Sequence, residues 1–302
     1  MKTSTIISIV TPSYNQGQFI RETIESVINQ KGEFYLDYII VDGASNDNTV
    51  DIIREYDETF KKRKVSDVLG DLVFRESHSC KGVSFRWMSE RDKGPVDALN
   101  KGIKLIIGNY FLWLNSDDRY SSNDSINNLL IHFMENALLD VVSGDGYFID
   151  SKGYKTGKHQ VSRINLKECI FLDYHILQPS TMIKTSILDV IKFDVNFLCV
   201  FDCDFFIRVF DKYSWLKINS LISDYRFWGG NITDTMHKQR FKEHLILAWR
   251  LSKRVDYFLI SLLYLYSSLI LKNRFKNSSL VSAIIWFIKK LSYFYVTGKS
   301  RR

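Results

Sequence analysis

Tyr110-Phe111-Leu112-Trp113-Leu114-Asn115-Ser116-Asp117-Asp118 is an apolar run that stops on acids. A short apolar run of this kind, bounded by turn-forming residues, predicts a buried strand. The same pattern recurs twice upstream: Tyr38-Ile39-Ile40-Val41 precedes Asp42 and Asp47, and the stretch from Val83 to Met88 precedes Asp92. In an open α/β sheet, ligands sit in the crevice beyond the carboxyl ends of the strands. Carboxylates gathered there repel one another and lose solvation, so the arrangement persists best with a cation to hold them. A divalent metal with a phosphorylated ligand is the simplest occupant.

Outward from these runs, strand and helix signals alternate. Ile6–Val10 predicts a strand, and Phe19, Ile20, Ile24, Val27 and Ile28 recur at helical spacing. Val50–Tyr56 predicts a short helix capped by Asn48 or Thr49. A helix over 95–107 opens on Pro95 and places Val96, Leu99, Ile103 and Ile106 on one face. Further helices are expected over 124–137 and 204–213, with a strand over Asp140–Ser143. Such alternation predicts an α/β fold with a largely parallel sheet. Asp57–Gly82 fits the rhythm poorly, and its basic run Lys61-Lys62-Arg63-Lys64 is expected to be a solvated surface excursion.

The chain of 302 residues is 45% hydrophobic and 25% charged, the balance of a globular protein with a sizeable core. Met1-Lys2-Thr3 leads directly into a strand-like run, and no signal peptide is expected. Cys80, Cys169, Cys199 and Cys203 show no CxxC pairing and are expected to be free thiols in a reducing compartment.

The net charge of +7 hides an asymmetry. Residues 238–302 hold 14 Lys or Arg against Glu243 and Asp256, a balance of +12, which leaves the first 237 residues at −5. Such a tail suggests a nucleic-acid or anionic membrane partner. Val255–Leu271 is strongly apolar, about 17 residues long, at the lower limit for spanning a bilayer. Lys253-Arg254 and Lys272, Arg274 and Lys276 flank it, and Leu280–Tyr295 is apolar and aromatic except for Lys289-Lys290. Basic and aromatic residues beside apolar faces are typical of helices lying in a membrane interface. The expected partner is therefore an anionic membrane surface and not nucleic acid. The alternative is a pair of helices packed on the rest of the chain or in a homodimer.

The strings VTPSYNQGQFIRETIESVINQ, YIIVDGASNDNTVDII, WMSERDKGPVDALNKGI, YFLWLNSDD and VVSGDG follow in this order. Together they resemble the family-2 glycosyltransferases of the GT-A fold, over roughly residues 5–230. The resemblance implies a Rossmann-like, mostly parallel sheet flanked by helices. It divides the chain into a glycosyltransferase domain over 1–237, with a nucleotide-sugar half to about residue 120, and a basic helical extension over 238–302.

Pro12-Ser13-Tyr14-Asn15 forms a loop whose backbone N–H groups and Tyr14 ring suit a nucleobase. The resemblance places Thr11, Pro12 and Tyr14 at the donor nucleotide, and Asp42 and Asp47 at uridine and ribose. The alternative for Asp47 is that it only caps the following helix. Asp92 matches a residue near the uracil and Lys93 one near the phosphates. Asn100 shares a helix with Asp97 that lines the donor pocket in the family, although a helix-surface role suits both. Where the family usually shows acid-x-acid, this chain has Asn115, Ser116, Asp117 and Asp118. Asp118 resembles the direct metal ligand, and Asp117 a residue contacting ribose or metal. A hard cation, Mn²⁺ or Mg²⁺, wants such oxygen ligands and keeps sites open for diphosphate oxygens.

In the acceptor half, Phe201-Asp202-Cys203-Asp204 resembles an acid pair before a helix, with Phe201 where Glu is more common. Asp202 matches the catalytic base, and Asp204 is the alternative. Gln178 and Ser180 are expected to line the acceptor or donor sugar. Trp228-Gly229-Gly230-Asn231 is expected to be a mobile loop beside it. The implied activity is an inverting, metal-dependent hexosyl- or N-acetylhexosaminyl transfer from a UDP-sugar. The implied acceptor is a hydroxyl of a glycan or polyprenyl-linked lipid. The implied setting is surface polysaccharide, lipopolysaccharide or O-antigen assembly, cytoplasmic and peripheral on the inner face of the cell membrane. A nucleotidyltransferase would want a Gly-rich, basic phosphate loop near the N-terminus, and Thr11–Gly17 has none. A non-catalytic nucleotide-sugar-binding protein would not need Asp42, Asp92, Asp118 and Asp202 together.

Overall fold

A computed structural model describes residues 4–161 and 176–252, together with 286, 287 and 290. At its centre β1 (Ile6–Ser13), β2 (Gly32–Asp42), β5 (Cys80–Ser89) and β6 (Tyr110–Trp113) run parallel in the order β5-β2-β1-β6. These strands are apolar because both faces are covered. Leu36, Tyr38 and Ile40 of β2 point into one core, and Ile39 and Val41 into the other. The first core is closed by α1 (Ile20–Ile28), α2 (Thr49–Lys62) and α4 (Ser125–Glu135), through residues such as Ile24, Ile53 and Leu129. The second is closed by α3 (Pro95–Ile103), α5 (Ile187–Val190) and α6 (Phe201–Lys212), through Leu99, Ile187 and Phe205.

The sheet continues past β6 through β10 (Thr181–Lys184), which is antiparallel to both its neighbours, to β8 (Val141–Ile149) and β11 (Trp215–Arg226). Two reversals restore the direction, so β8 and β11 run the same way as β6. The C-terminal ends of six strands therefore open on one edge, with β1 at the point where strand order reverses. That edge is where an open α/β sheet binds its ligand. β7 (Arg119–Tyr120) pairs with β11, and β9 (Lys155–His159) with β8.

Several boundaries differ from the sequence expectation for local physical reasons. The helix expected to stop at Tyr56 runs to Lys62, because Phe60 continues the apolar stripe of Ile52, Ile53 and Tyr56. The expected excursion after it is a hairpin, β3 (Val65–Leu69) and β4 (Leu72–Arg75), that extends the sheet beyond β5. Lys61, Lys62 and Lys64 are exposed, while the Arg63 guanidinium lies 4.2 Å from the Phe60 ring centroid.

The start of the basic tail also differs. After a single helical turn, α7 (Ile232–Thr235), the chain forms α8 (His237–Ser252), which packs on the α/β body. Leu247 joins Phe197, Val200 and Ile207 in a small core. The Glu243 carboxylate accepts the backbone N–H groups of Leu198, Cys199 and Val200 at 3.0, 2.7 and 3.2 Å, and Arg250 pairs with Asp194 at 2.6 Å. The described part of the basic tail, residues 238–252, is thus a helix packed on the α/β body. The apolar stretches expected over 255–271 and 280–295 lie outside the described residues, apart from 286, 287 and 290. Among the described residues Cys80, Cys199 and Cys203 form no disulfide, and Cys169 lies outside them.

Candidate active site

Beyond the strand ends lies a cleft of about 1030 Å³, lined from both halves of the sequence. Its first wall is made by the loops after β1 and β2. Gly43 N–H donates to Ser13 O (2.8 Å), Asn15 N–H to Ser45 Oγ (2.8 Å), and Asn46 N–H to Asn15 Oδ1 (2.9 Å). Asn15 and Ala44 hold left-handed backbone, φ 51° and 62°, at this junction. For residues with a Cβ such strain needs over-determined surroundings and is concentrated at ligand sites.

The expected nucleotide residues divide here. Pro12 and Tyr14 line the cleft, and Tyr14 is 57% exposed. Thr11 is buried, with its hydroxyl 3.2 Å from the Tyr38 hydroxyl. Asp42 is buried too, and its carboxylate accepts Ser45 N–H (2.9 Å), Ser45 Oγ–H (2.5 Å) and Ser89 Oγ–H (2.6 Å). Asp47 bridges two loops: Oδ1 accepts Thr49 N–H (3.0 Å) at the first residue of α2, whose N-cap position is Asn48, and Oδ2 accepts Gly17 N–H (2.9 Å). Both acids bond the loops, and neither is among the residues that line the cleft.

The loop after β5 brings Arg91, Asp92 and Lys93 into the cleft. Asp92 Oδ1 accepts Gly94 N–H at 2.8 Å, and burial pushes its carboxyl above the ordinary value. A Cβ on Gly43 would lie 2.7 Å from Asp92 Oδ2, so the two loops approach closely here and a larger residue would shift the Asp92 carboxylate. Lys93 is exposed, and its backbone N–H donates to Asp97 Oδ2 (3.1 Å). Asn100 sits on α3 away from the cleft lining.

After β6, the turn from Asn115 to Asp118 separates its two acids. Asp117 lines the cleft. Its Oδ2 accepts Trp228 Nε1–H (2.9 Å) and Asn231 Nδ2–H (3.1 Å). Asp118 is 1% exposed and lies beneath, its Oδ1 accepting Arg226 N–H at 2.8 Å. Burial pushes both carboxyls up, and the charge of Asp117 pushes Asp118 further. The resemblance made Asp118 the direct metal ligand; the geometry gives the cleft to Asp117, because Asp118 is turned into the protein against the end of β11.

On the acceptor side, Asp202 and Gln178 line the cleft and Asp204 does not. Asp202 Oδ1 accepts Cys203 N–H at 2.8 Å, and burial raises its carboxyl above the ordinary value. Gln178 donates Nε2–H to Trp113 O and accepts Asn115 Nδ2–H at 3.2 Å, which joins the two halves. Ser180, expected at a sugar, is fully buried in the sheet against Ser223 Oγ (2.6 Å) and Asp145 O (3.1 Å). Trp228 packs its ring edgewise on Phe19, 5.3 Å between centroids, instead of lining the cleft. The aromatic wall is made by Phe148, Tyr225 and Phe227.

The sequence matches the family described as Glycosyl transferase family 2 over residues 8–210. The chain belongs to that family. An uncharacterized glycosyltransferase of Methanocaldococcus jannaschii is 25% identical over 295 residues, covering 95% of this chain and 86% of its own. The putative teichuronic acid biosynthesis glycosyltransferase TuaG of Bacillus subtilis is 30% identical over 130 residues, 43% of this chain and 42% of its own. Among solved structures, S. aureus TarS 1-349 in complex with UDP-GlcNAc superposes with TM-score 0.58 at 15% identity, covering 96% of this chain and 81% of that one. The mannosyltransferase PcManGT of Pyrobaculum calidifontis, in complex with GDP-Man and Mn²⁺, gives 0.53 at 15%, covering 98% and 84%. At these identities the likeness carries the fold, a GT-A sheet flanked by helices.

For a family-2 glycosyltransferase the donor set bears on a cation. Among the described residues no group of three His, Cys, Asp or Glu converges to form a protein-only metal site. One half-buried carboxylate, Asp117, is met by neutral donors on one oxygen. That set fits a hard cation shared with donor phosphates, since Mg²⁺-type ions are held by one or two carboxylates plus substrate oxygens.

Sequence reasoning missed the scaffold beneath Asp117. Arg226, 1% exposed, donates Nε–H to Asp117 O (2.7 Å) and pairs with Glu22, which also pairs with Arg119. Arg119 reaches Asp224 at 2.8 Å. In the sequence Glu22 reads as the polar face of an amphipathic helix and Arg226 as a strand-end charge, so no local signal joins them.

Proposed function

We propose that the protein is an inverting, metal-dependent glycosyltransferase that moves a hexosyl or N-acetylhexosaminyl group from a UDP-sugar to a hydroxyl of a glycan or lipid-linked acceptor. The observation that carries this reading is that Asp117 and Asp202, 85 positions apart in sequence, line one cleft. The donor half supplies Pro12, Tyr14 and Asp92 to the nucleoside, with Arg91 and Lys93 exposed at the same end for diphosphate charge. TarS and PcManGT, crystallised with UDP-GlcNAc and with GDP-Man and Mn²⁺, support a nucleoside diphosphate sugar and a divalent ion. TuaG, described as a putative teichuronic acid biosynthesis glycosyltransferase, supports a role in polysaccharide biosynthesis.

Asp202 accepts the proton of the acceptor hydroxyl as its oxygen bonds to the anomeric carbon. The bond from that carbon to the diphosphate oxygen breaks on the opposite face, so configuration inverts. Asp117 would hold the cation, which when bound offsets the charge of the departing diphosphate. Gln178 and the Phe148, Tyr225 and Phe227 wall flank the acceptor end. Work at the inner face of the cell membrane, through the basic tail, completes the reading.

The test is a sugar-nucleotide hydrolysis screen with Mn²⁺ or Mg²⁺, read as released nucleotide. Release from a UDP-sugar, abolished by EDTA and restored by the metal, is the expected result. Release from no nucleotide sugar under any metal condition would overturn the reading, and undiminished release after exhaustive chelation would remove the metal.

A further inference from the structure

We propose that Trp228 and Asn231 are positioning residues that hold the Asp117 carboxylate in one orientation for the donor diphosphate and its cation. This rests on the donor-site reading above. Both side chains donate to the same oxygen, Oδ2. Among the described residues no hydrogen bond from another residue reaches Oδ1, and no cationic side chain pairs with the carboxylate. The nearby Arg226 guanidinium donates to the Asp117 backbone carbonyl instead, and its charge is met by Glu22. Asp117 is thus oriented by neutral donors; the Arg226 charge acts on it through space but forms no ion pair with it.

The loop is built for this contact. Asn231 is 8% exposed; its Oδ1 accepts Trp228 N–H (3.0 Å), and its Nδ2 also donates to Arg226 O (2.9 Å). The chain turns through Gly229 in left-handed backbone, φ +84°, and folds the indole back over Gly230. A Cβ on Gly230 would lie 2.1 Å from an indole carbon. The two glycines therefore make room for the indole, whose far edge rests on Phe19. Phe227, Gly230, Asn231 and Ile232 line the cleft, so the loop that holds Asp117 is also part of the wall. Groups that orient a metal-binding carboxylate typically contribute about 10–100-fold in metal affinity.

Trp228→Phe keeps a ring against Phe19 and removes the N–H donor; Gly230→Ala displaces the indole and leaves both donors in the chain. Wild type and both variants are titrated calorimetrically with UDP and with GDP, each with Mn²⁺ and with EDTA, and melted without ligand. Both variants are expected to weaken Mn²⁺-dependent nucleotide binding by about tenfold or more. Binding in EDTA is expected to match wild type and the melting temperature to fall by no more than about 2–4 °C per kcal/mol of lost contact, whereas a loop that collapsed would also weaken binding in EDTA. Wild-type affinity with Mn²⁺, or equal loss with and without it, would overturn the positioning role. A wild type that binds neither nucleotide, or binds without regard to Mn²⁺, would instead overturn the donor or cation reading beneath it, and the inference with it.

Discussion

Asp202 and Asp204 stand two residues apart in the first turn of α6 and face different surroundings. Two residues turn a helix by about 200°. Asp202 therefore lines the cleft, while Asp204 is buried against Arg208, whose Nε and Nη2 both donate to its Oδ2 at 2.9 and 2.5 Å. Burial raises the Asp204 carboxyl and the Arg208 charge partly offsets it.

Asp202→Asn should therefore lower kcat by about 10²–10⁴-fold with donor binding nearly intact, because a base acts on the transition state and not on the ground state. Asp204→Asn should leave kcat within a few-fold and cost about 1–3 kcal/mol in urea unfolding, the worth of a charge-assisted contact. Steady-state kinetics and unfolding curves for the two variants decide it. A kcat collapse in Asp204→Asn beside a near-wild-type Asp202→Asn reverses the assignment.

The acid limb of the kcat profile follows from the same carboxyl. Burial raises Asp202, and a protonated acid cannot take the acceptor proton. Activity should fall as pH drops through a midpoint above that of an unperturbed aspartate, about 3.9. The profile is read at saturating donor, so that titration of Asp92 in the free cleft does not enter. A midpoint at or below about pH 4 would argue that Asp202 is not the base.

Asp117 and Asp118 should separate in the same way. Asp117→Asn is expected to lose metal-dependent UDP binding, since Asp117 is the acid in the cleft. Asp118→Asn keeps an oxygen for Arg226 N–H, which now bonds Oδ1 at 2.8 Å, and should bind UDP and metal as wild type does. Asp118→Ala should lower stability by about 1–3 kcal/mol by stranding that buried N–H. Calorimetry on the two Asn variants is the measurement. Lost binding in Asp118→Asn with binding kept in Asp117→Asn would restore the role that the sequence resemblance implied.

The contrast between these acids marks what the sequence carries. Strands β1, β2, β5 and β6 are legible because burial on both faces makes them continuous apolar runs, and parallel strands must place their ends on one edge. Which acid at that edge faces a ligand is not legible. Asp42 and Asp47 look identical in kind to Asp92 and Asp117, yet they bond Ser45, Ser89, Thr49 and Gly17 and do not line the cleft. β8 is longer than its apolar start suggests, because Gly144-Asp145-Gly146 interrupts the pattern. Lys217 meets the buried Asp145 there at 3.6 Å, and Gly146 lies flat against Ser223. β11 mixes Lys217, Asn219 and Asp224 into its strand, and so the scaffold at Arg226 gives no periodic signal.

His244 supplies a pH test of stability. It is 7% exposed on α8, and burial, aided by the Arg240 charge, pulls its pKa down to about 3. Above about pH 6.5 the imidazole is neutral folded or unfolded and contributes nothing. Between there and pH 3 the unfolded chain binds a proton that the folded chain does not, so stability falls as pH is lowered, by up to about 1.4 kcal/mol per unit. His244→Leu should therefore lose about 2 kcal/mol less than wild type between pH 7 and pH 5 in urea unfolding. An equal loss in both proteins would show that His244 is not the acid-sensitive group.

The packing of α8 also sets where the tail can be cut. Removing residues 238–252 would uncover Phe197, Val200 and Ile207 and strip Glu243 from the three backbone N–H groups it accepts. A chain ending at Ser252 keeps those contacts. It omits 253–302, which hold ten Lys or Arg against the single acid Asp256 beside the Tyr-rich apolar stretches. If this segment attaches to anionic membranes, apolar burial and basic charge should act together, each Lys or Arg near the surface contributing about 1 kcal/mol that salt screens. The full chain should then co-sediment with anionic liposomes, less so at high salt and less with neutral lipid, and the chain ending at Ser252 should stay in solution. Equal pelleting of the two chains, or indifference to lipid charge, would favour a tail that packs on the body or on a second copy.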